Sequence, residues 1–287
     1  MEGPSTRVSR HRTPLTADFE SVQAHYDLSD DFFALFLDPS RTYSCAKFDT
    51  PQTTLAEAQA AKIDLSLGKC DLRPGHHLLD IGCGWGATAL RAREKYDIKV
   101  TGLTLSRNQH AYDQSLAAGK AGIEFRLEGW ETYEQKVDRI VTIGAFEHFG
   151  RAKYAAFFER ARSLLPADGV MLLHTITLGK PNKSMTFGRF AQFISTKIFP
   201  GGDVPPPERV IEFARNGGFE LTHVESLRLH YARTLDCWAS NLAAAEAKAV
   251  AIAGEETFRT YMKYLTSCAT YFRSGEINVY QFTLRVA

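Results

Sequence analysis

The stretch Leu78-Leu79-Asp80-Ile81-Gly82-Cys83-Gly84-Trp85-Gly86 constrains this chain more than any other. It begins with apolar residues that read as a short buried parallel strand. It then turns glycine-rich, and Ala87 to Tyr96 continues as a helical segment with no Pro or Gly inside it. Strand, glycine turn and helix start together make a place where a nucleotide-like ligand can lie against bare backbone. Gly82 and Gly84 permit close approach and positive φ, and the helix start offers unpaired N–H groups.

Dinucleotides and S-adenosylmethionine (SAM) both use such a turn. Gly82, Gly84 and Ala87 satisfy the loose G-x-G-x-x-G/A dinucleotide pattern. That reading also expects an acid roughly 20 residues on, at the end of the second strand, to hold the ribose hydroxyls. The second strand, near Ile98 to Leu103, instead runs into Thr104-Leu105-Ser106-Arg107 with no carboxylate. Asp80 and the D-x-G-x-G-x-G spacing resemble the first motif of SAM-dependent methyltransferases, with Gln109 placed to contact the ribose in the missing acid's stead. SAM is the favoured ligand.

A chain of 287 residues can bury one large core or two small ones, and a net charge of +1 gives no field suggesting nucleic acid. Five scattered cysteines form no C-x-x-C pair, which fits a reducing cytoplasm and argues against a disulfide framework or a metal site. No apolar run has the length of a membrane span. Residues 1–16 carry Arg7, Arg10, His11 and Arg12 without a signal peptide's apolar segment. They read as a solvated disordered tail, or as a weak dock for an anionic surface such as a membrane or an acidic carrier protein.

One domain is expected over residues 17–287, with an N-terminal helical cap at 17–73 and an insertion at 179–207. In the cap, Ala17 to Leu37 reads as two helical pieces joined at Asp27 to Asp30, the second ended by Pro39, and Leu55 to Leu67 as a further helix. From Pro74 strands and helices alternate, as in a doubly wound α/β sheet. The expected strands are His77 to Ile81, Lys99 to Leu103, Glu124 to Leu127, Asp138 to Ile143 and Val170 to Thr177. Phe219 to Leu227 and Ile277 to Val286 form a final antiparallel pair. The insertion carries a helix with an aromatic and aliphatic face at Phe187, Phe190, Phe193, Ile194 and Ile198.

Six stretches then identify a family: Tyr43-Ser44-Cys45, Asp80 to Gly86, Gly102-Leu103-Thr104-Leu105-Ser106, Gly144-Ala145-Phe146-Glu147-His148-Phe149, Leu172-Leu173-His174-Thr175-Ile176 and Phe199-Pro200-Gly201-Gly202. In this order they resemble the cyclopropane fatty acid synthases, most closely the mycolic acid cyclopropane synthases. The resemblance implies a Rossmann-like SAM-methyltransferase fold, a doubly wound, seven-stranded, mostly parallel sheet with a helical cap and a helical lid. It implies methyl(ene) transfer from SAM to a cis double bond of a long unsaturated acyl chain, closing a cyclopropane, with an acyl carrier protein as presenter. Cofactor contacts are implied for Tyr43, Ser44, Asp80, Gly82, Cys83, Gly84, Trp85, Gly86, Thr104, Leu105, Gln109, Trp130 and Glu131. A bicarbonate site is implied for Glu147, His174 and Tyr231 with the backbone of Cys45 and Ile143, and an active-site place for Cys268. Lys47 departs from the family's aromatic, placing a cation near the cofactor mouth, and Gly179 to Ser184 is shorter than the usual lid segment.

The chemistry asks for such a set. The methyl of SAM is activated by its sulfonium, so the protein need supply no nucleophile. It must exclude water, stabilise a carbocation and seat a base. Burial that raises the pKa of Glu147 would let it share a proton with bicarbonate. Each residue also has a structural reading: His174 as a hydrogen-bonded core histidine, Tyr231 as a helix start, and Cys268 as part of an apolar stripe with Tyr261, Tyr264, Leu265, Tyr271 and Phe272. Three rivals stand beside ring closure: water capture of the cation to give a methyl-branched alcohol, an ordinary small-molecule methyltransferase, and a non-catalytic SAM- or lipid-binding module.

Overall fold

The computed structural model describes residues 15–17, 19, 29–180 and 185–287. The expected tail (apart from its last two residues), the helical piece expected ahead of Asp27 and residues 181–184 of the shortened lid segment lie outside the described residues. Five apolar runs form the parallel strands β1 (His77–Ile81), β2 (Lys99–Thr104), β3 (Ile123–Leu127), β4 (Arg139–Ile143) and β5 (Val170–Leu178). Most are apolar along their length because helices cover both faces of the sheet. β6 (Phe219–Ser226) and β7 (Ile277–Val286) are the expected antiparallel pair. The full order is β3-β2-β1-β4-β5-β7-β6, with β7 antiparallel to both of its neighbours.

On one face Leu79, Ile81, Leu103, Ile140 and Leu173 pack against α5 (Tyr154–Leu164) and α7 (Pro207–Asn216). Phe157 and Phe158 of α5 are fully buried there, each worth about 1.5–3 kcal/mol of hydrophobic transfer. On the other face Leu78, Val100, Val141 and Leu172 meet α2 (Leu55–Gly68) and α3 (Ala87–Lys95). α2 opens with a capping box, in which Thr54 accepts from the Glu57 N–H and Glu57 accepts from the Thr54 N–H. Its buried face is mixed, with Gln59, Lys62 and Ser66 fully buried beside Ala58, Ile63 and Leu67.

A third core gathers α1 (Asp30–Ala34), α8 (Arg228–Ala244), α9 (Glu246–Ala253) and α10 (Glu255–Ser274) beyond the carboxyl ends of the strands. The lid helix α6 (Met185–Phe193) continues as a π-helical turn at Ile194–Ile198 and packs on this core through Phe187 and Phe190. The remaining helix, α4 (Arg107–Ala117), starts after β2, its cap Ser106 accepting from the Gln109 N–H. Chain order reverses between β1 and β4, so the crevice of an open α/β sheet falls at their carboxyl ends. No described helix is long and apolar enough to cross a membrane.

Candidate active site

The glycine turn after β1 is tight for a steric reason. Gly82 has φ of 78°, and a Cβ on it would lie 2.4 Å from the Cβ of Ala145 after β4. Two strand ends are thereby drawn together, and a cleft opens above them. Tyr43, Ser44, Asp80, Gly82, Cys83, Gly84, Trp85, Thr104, Leu105, Gln109, Trp130 and Glu131 all line this one cleft. Gly86 stands behind it as the left-handed cap of α3, where a Cβ would meet Phe125 and Asp113. Trp85 is held by a hydrogen bond from its indole N–H to Asp30 (3.2 Å). Gln109 accepts from the Thr104 hydroxyl (2.8 Å), so its carbonyl oxygen is engaged and its amide nitrogen is what it can offer a ribose. Glu131 pairs with Lys153 (3.1 Å), a partner not foreseen from sequence.

The floor of the cleft holds buried ionisable side chains. Burial pushes Asp80 up to about 7, opposed by the field of Lys62, and Asp80 Oδ2 has no hydrogen-bond partner. Asp113, accepting from the Cys83 thiol (3.6 Å), is pushed by burial up to about 8. Lys62 is fully buried and donates to Ser44 Oγ (2.7 Å), while Gln59 donates to the carbonyls of Thr42 (3.1 Å) and Ser44 (2.8 Å). The Tyr43 segment therefore hangs from two polar side chains of α2. Neither Lys62 nor Gln59 stands out in the sequence as a site residue. The available signal was a polar set at 59, 62 and 66 on the inward face of a helix.

A second cavity adjoins the first, and the two share Tyr43, Gly144 and His148. Its walls are mostly apolar and come from four regions: Phe187, Phe190 and Ile194 of the lid, Leu235 of α8, Phe272 of α10 and Ile176 of β5. The aromatic and aliphatic face expected on the lid helix lines this space, except that Phe193 and Ile198 face elsewhere. Tyr43 donates weakly to the Tyr264 hydroxyl (3.4 Å) at the junction. His148 has its pKa lowered to about 4 by burial, so a neutral imidazole faces both cavities.

Glu147 and Tyr231 also line the second cavity. Glu147 Oε1 accepts from the Ile176 N–H (2.7 Å), and Oε2 has no partner. Burial raises its pKa from 4.5 to about 7, against the lowering effect of that hydrogen bond. Tyr231 is buried in the first turn of α8, and burial holds its hydroxyl far above the usual phenol range, helped by the fields of Cys45, Tyr43, Glu147 and Cys268. Tyr231 begins a helix, as its structural reading expects, and also lines the second cavity.

His174 and Cys45 line neither cavity. His174 pairs in register with Ile143 of β4 and Gln281 of β7. Lys69 can only donate, so Gln281 must turn its oxygen to it (2.7 Å) and its nitrogen to Ser66 Oγ (3.0 Å) and His174 Nδ1 (3.2 Å). Nδ1 is then the acceptor, and Nε2 carries the proton, buried and without a partner. Burial keeps this imidazole neutral. Cys268 lies on the expected α10 stripe, buried and facing the second cavity, with its thiol held protonated by burial. Lys47 corrects one expectation. It lines neither cavity and pairs with Asp49 two residues on, placing its charge on the outside of the Tyr43 segment.

The family described as mycolic acid cyclopropane synthetase matches residues 13–282. Cyclopropane mycolic acid synthase 1 of Mycobacterium tuberculosis is 56% identical over 280 residues, spanning 94% of this chain and 98% of that protein. The cyclopropane synthase MmaA2 from the same organism superposes with a TM-score of 0.93 at 54% identity, over 95% of this chain and 100% of that one. The mycolic acid cyclopropane synthase CmaA1 complexed with SAH and CTAB superposes with a TM-score of 0.92 at 55% identity, over 94% and 99%. A coclaurine N-methyltransferase, 22% identical with a TM-score of 0.81, shares the fold. On the match along nearly its whole length, this chain belongs to the mycolic acid cyclopropane synthetase family.

Proposed function

We propose that the protein transfers a methyl group from SAM to a cis double bond in a long, mycolic-type acyl chain and closes a cyclopropane ring. The observation carrying this reading is the junction at Tyr43, Gly144 and His148, where a cleft that includes Ser44, Lys62, Asp80 and Gln109 opens into a mostly apolar cavity. The solved relative bound to SAH supports the cofactor, and the names of the relatives support the substrate class.

In this reading the electron pair of the alkene forms a new C–C bond to the SAM methyl at the junction while the C–S bond breaks, its electron pair staying on sulfur to leave S-adenosylhomocysteine. The resulting cation is flanked by aromatic faces, each worth about 1–2 kcal/mol when desolvated. Loss of a proton from the added methyl closes the ring. Exclusion of water is as important, because captured water gives the alcohol.

The unpartnered Oε2 of Glu147 and the neutral hydroxyl of Tyr231 face the acyl cavity and suit bicarbonate. The family resemblance adds the unpartnered Nε2–H of His174, buried outside both cavities on the strand whose Ile176 N–H holds Glu147. Bound there, bicarbonate supplies a base. Glu147, with its pKa near neutrality, holds a proton toward it, and the backbone of Cys45 and Ile143 completes the surround. Cys268 serves as wall, since a protonated, buried thiol is a poor nucleophile. Presentation by an acyl carrier protein belongs to this reading as an expectation from the family.

Mass spectrometry of long-chain lipids from a host that lacks cyclopropanes but supplies unsaturated chains tests it. A gain of one CH₂ with loss of the double bond is expected when the protein is expressed. A gain of CH₂ plus water would instead select the alcohol. Unchanged lipids together with normal SAM binding would overturn the reading.

A further inference from the structure

Lys62 is a charge that the fold has not neutralised. It comes from the cap helix α2, is fully buried, and lines the cofactor cleft. Ser44 Oγ takes one of its three N–H bonds, and Lys62 forms no ion pair among the described residues. Removing an ammonium from water without a carboxylate partner costs several kcal/mol. The fields of Asp38 and Asp80 offset only part of this, so burial lowers the pKa of Lys62 to about 8. A packing role alone would be met more cheaply by Met or Leu.

The sheet order says which part of a ligand would meet it. Leu105 and Gln109 follow β2 and Trp130 follows β3, which sets the nucleoside end over β2 and β3. The other end of the cleft lies over β1 and β4, with Ser44, Lys62, Asp80 and Gly82, and opens at Tyr43 and His148 toward the acyl cavity. A sulfonium must sit near that opening for its methyl to be transferred, so the amino-acid tail beyond it falls in the Lys62 corner. That tail is a zwitterion. The corner holds one buried cation, Lys62, and one buried carboxyl with an unpartnered oxygen, Asp80.

We infer that Lys62 is the counter-ion of the carboxylate at the amino-acid end of the cofactor, a binding residue supplied by the cap rather than by the nucleotide fold. The inference rests on the reading that the cleft takes SAM. Through Ser44 the same ammonium couples cofactor binding to the position of Tyr43, which stands between the two cavities.

Calorimetric titration of the full chain with S-adenosylhomocysteine and with its decarboxylated analogue tests this. The unmodified protein should prefer the carboxylate-bearing ligand by on the order of 10- to 100-fold, the worth of a charge-assisted hydrogen bond. In Lys62→Met that preference should collapse, with S-adenosylhomocysteine weakened by that factor more than the decarboxylated ligand, whose remaining binding also reports that the variant is folded. Persistence of the preference in Lys62→Met, or equal weakening of both ligands, would overturn the inference. Equal binding of both ligands by the unmodified protein would overturn it without any variant. Failure of the unmodified protein to bind either ligand would overturn the SAM reading beneath it.

Discussion

The two cavities that meet at Tyr43 are built by opposite means. The cofactor cleft is framed by strand ends and the segments that follow them, a glycine turn after β1, the loops after β2 and β3, and the start of α3, with Ser44 and Lys62 added from the cap. The acyl cavity is made of side chains delivered by α6, α8 and α10, elements far apart in the chain. A backbone site fixes the geometry of one ligand and tolerates little change. A side-chain cavity sets length and shape, and can be recut one residue at a time.

The sharpest test of that contrast is Gly82→Ala. Positive φ and a Cβ 2.4 Å from Ala145 combine strain with overpacking, and we expect about 4 kcal/mol of lost stability in denaturant titration, together with loss of S-adenosylhomocysteine binding. A soluble Gly82→Ala protein with normal stability and cofactor affinity would break the comparison at its stronger end.

Glu147→Gln probes the boundary between the cavities. The folded pKa of Glu147 lies near 7 against 4.5 unfolded, so its contribution to stability is complete below 4.5 and is lost as pH rises through 7. Gln does not titrate and keeps the acceptor for the Ile176 N–H. Relative to the unmodified protein, the variant should therefore gain about 3 kcal/mol between those limits. It should also retain about a tenth or more of the turnover, since an amide can still donate. Complete loss of turnover with intact cofactor binding would show that the carboxylate itself is required.

The smallest effect belongs to the acyl wall. Phe190 is half-buried and packs on Tyr271 with ring centres 4.3 Å apart. Phe190→Ala should cost about 1 kcal/mol of stability and raise KM for long acyl substrates, while leaving S-adenosylhomocysteine affinity within about twofold. A change in cofactor affinity would mean that the cavities are not separable.

The same contrast explains what could be read in advance. The strands, the antiparallel final pair and the glycine turn were legible because each lies in a short run whose periodicity or glycine spacing carries the signal, whereas Tyr43, Ser44, Trp130 and Glu131 entered only through the family resemblance. Lys62 and Gln59 were missed because a helical period reports that a face is buried, not that it is polar and facing a ligand. The partner of His174 was invisible because Gln281 is brought to it only by the pairing of β5 with β7. The placement of Lys47 was misread because sequence position next to Cys45 and Ala46 does not say on which side of an extended segment a side chain emerges.

β7 carries a consequence for the order in which the protein comes into being. It follows the other strands of this sheet in the chain, yet it lies inside the sheet, between β5 and β6. Until it arrives, a nascent chain already possesses the glycine turn and the loops of the nucleotide cleft. His174, however, still lacks the Gln281 amide that selects its tautomer, and β5 has an open edge. On the ribosome the glycine turn and its loops can form first, while His174 waits for one glutamine of β7.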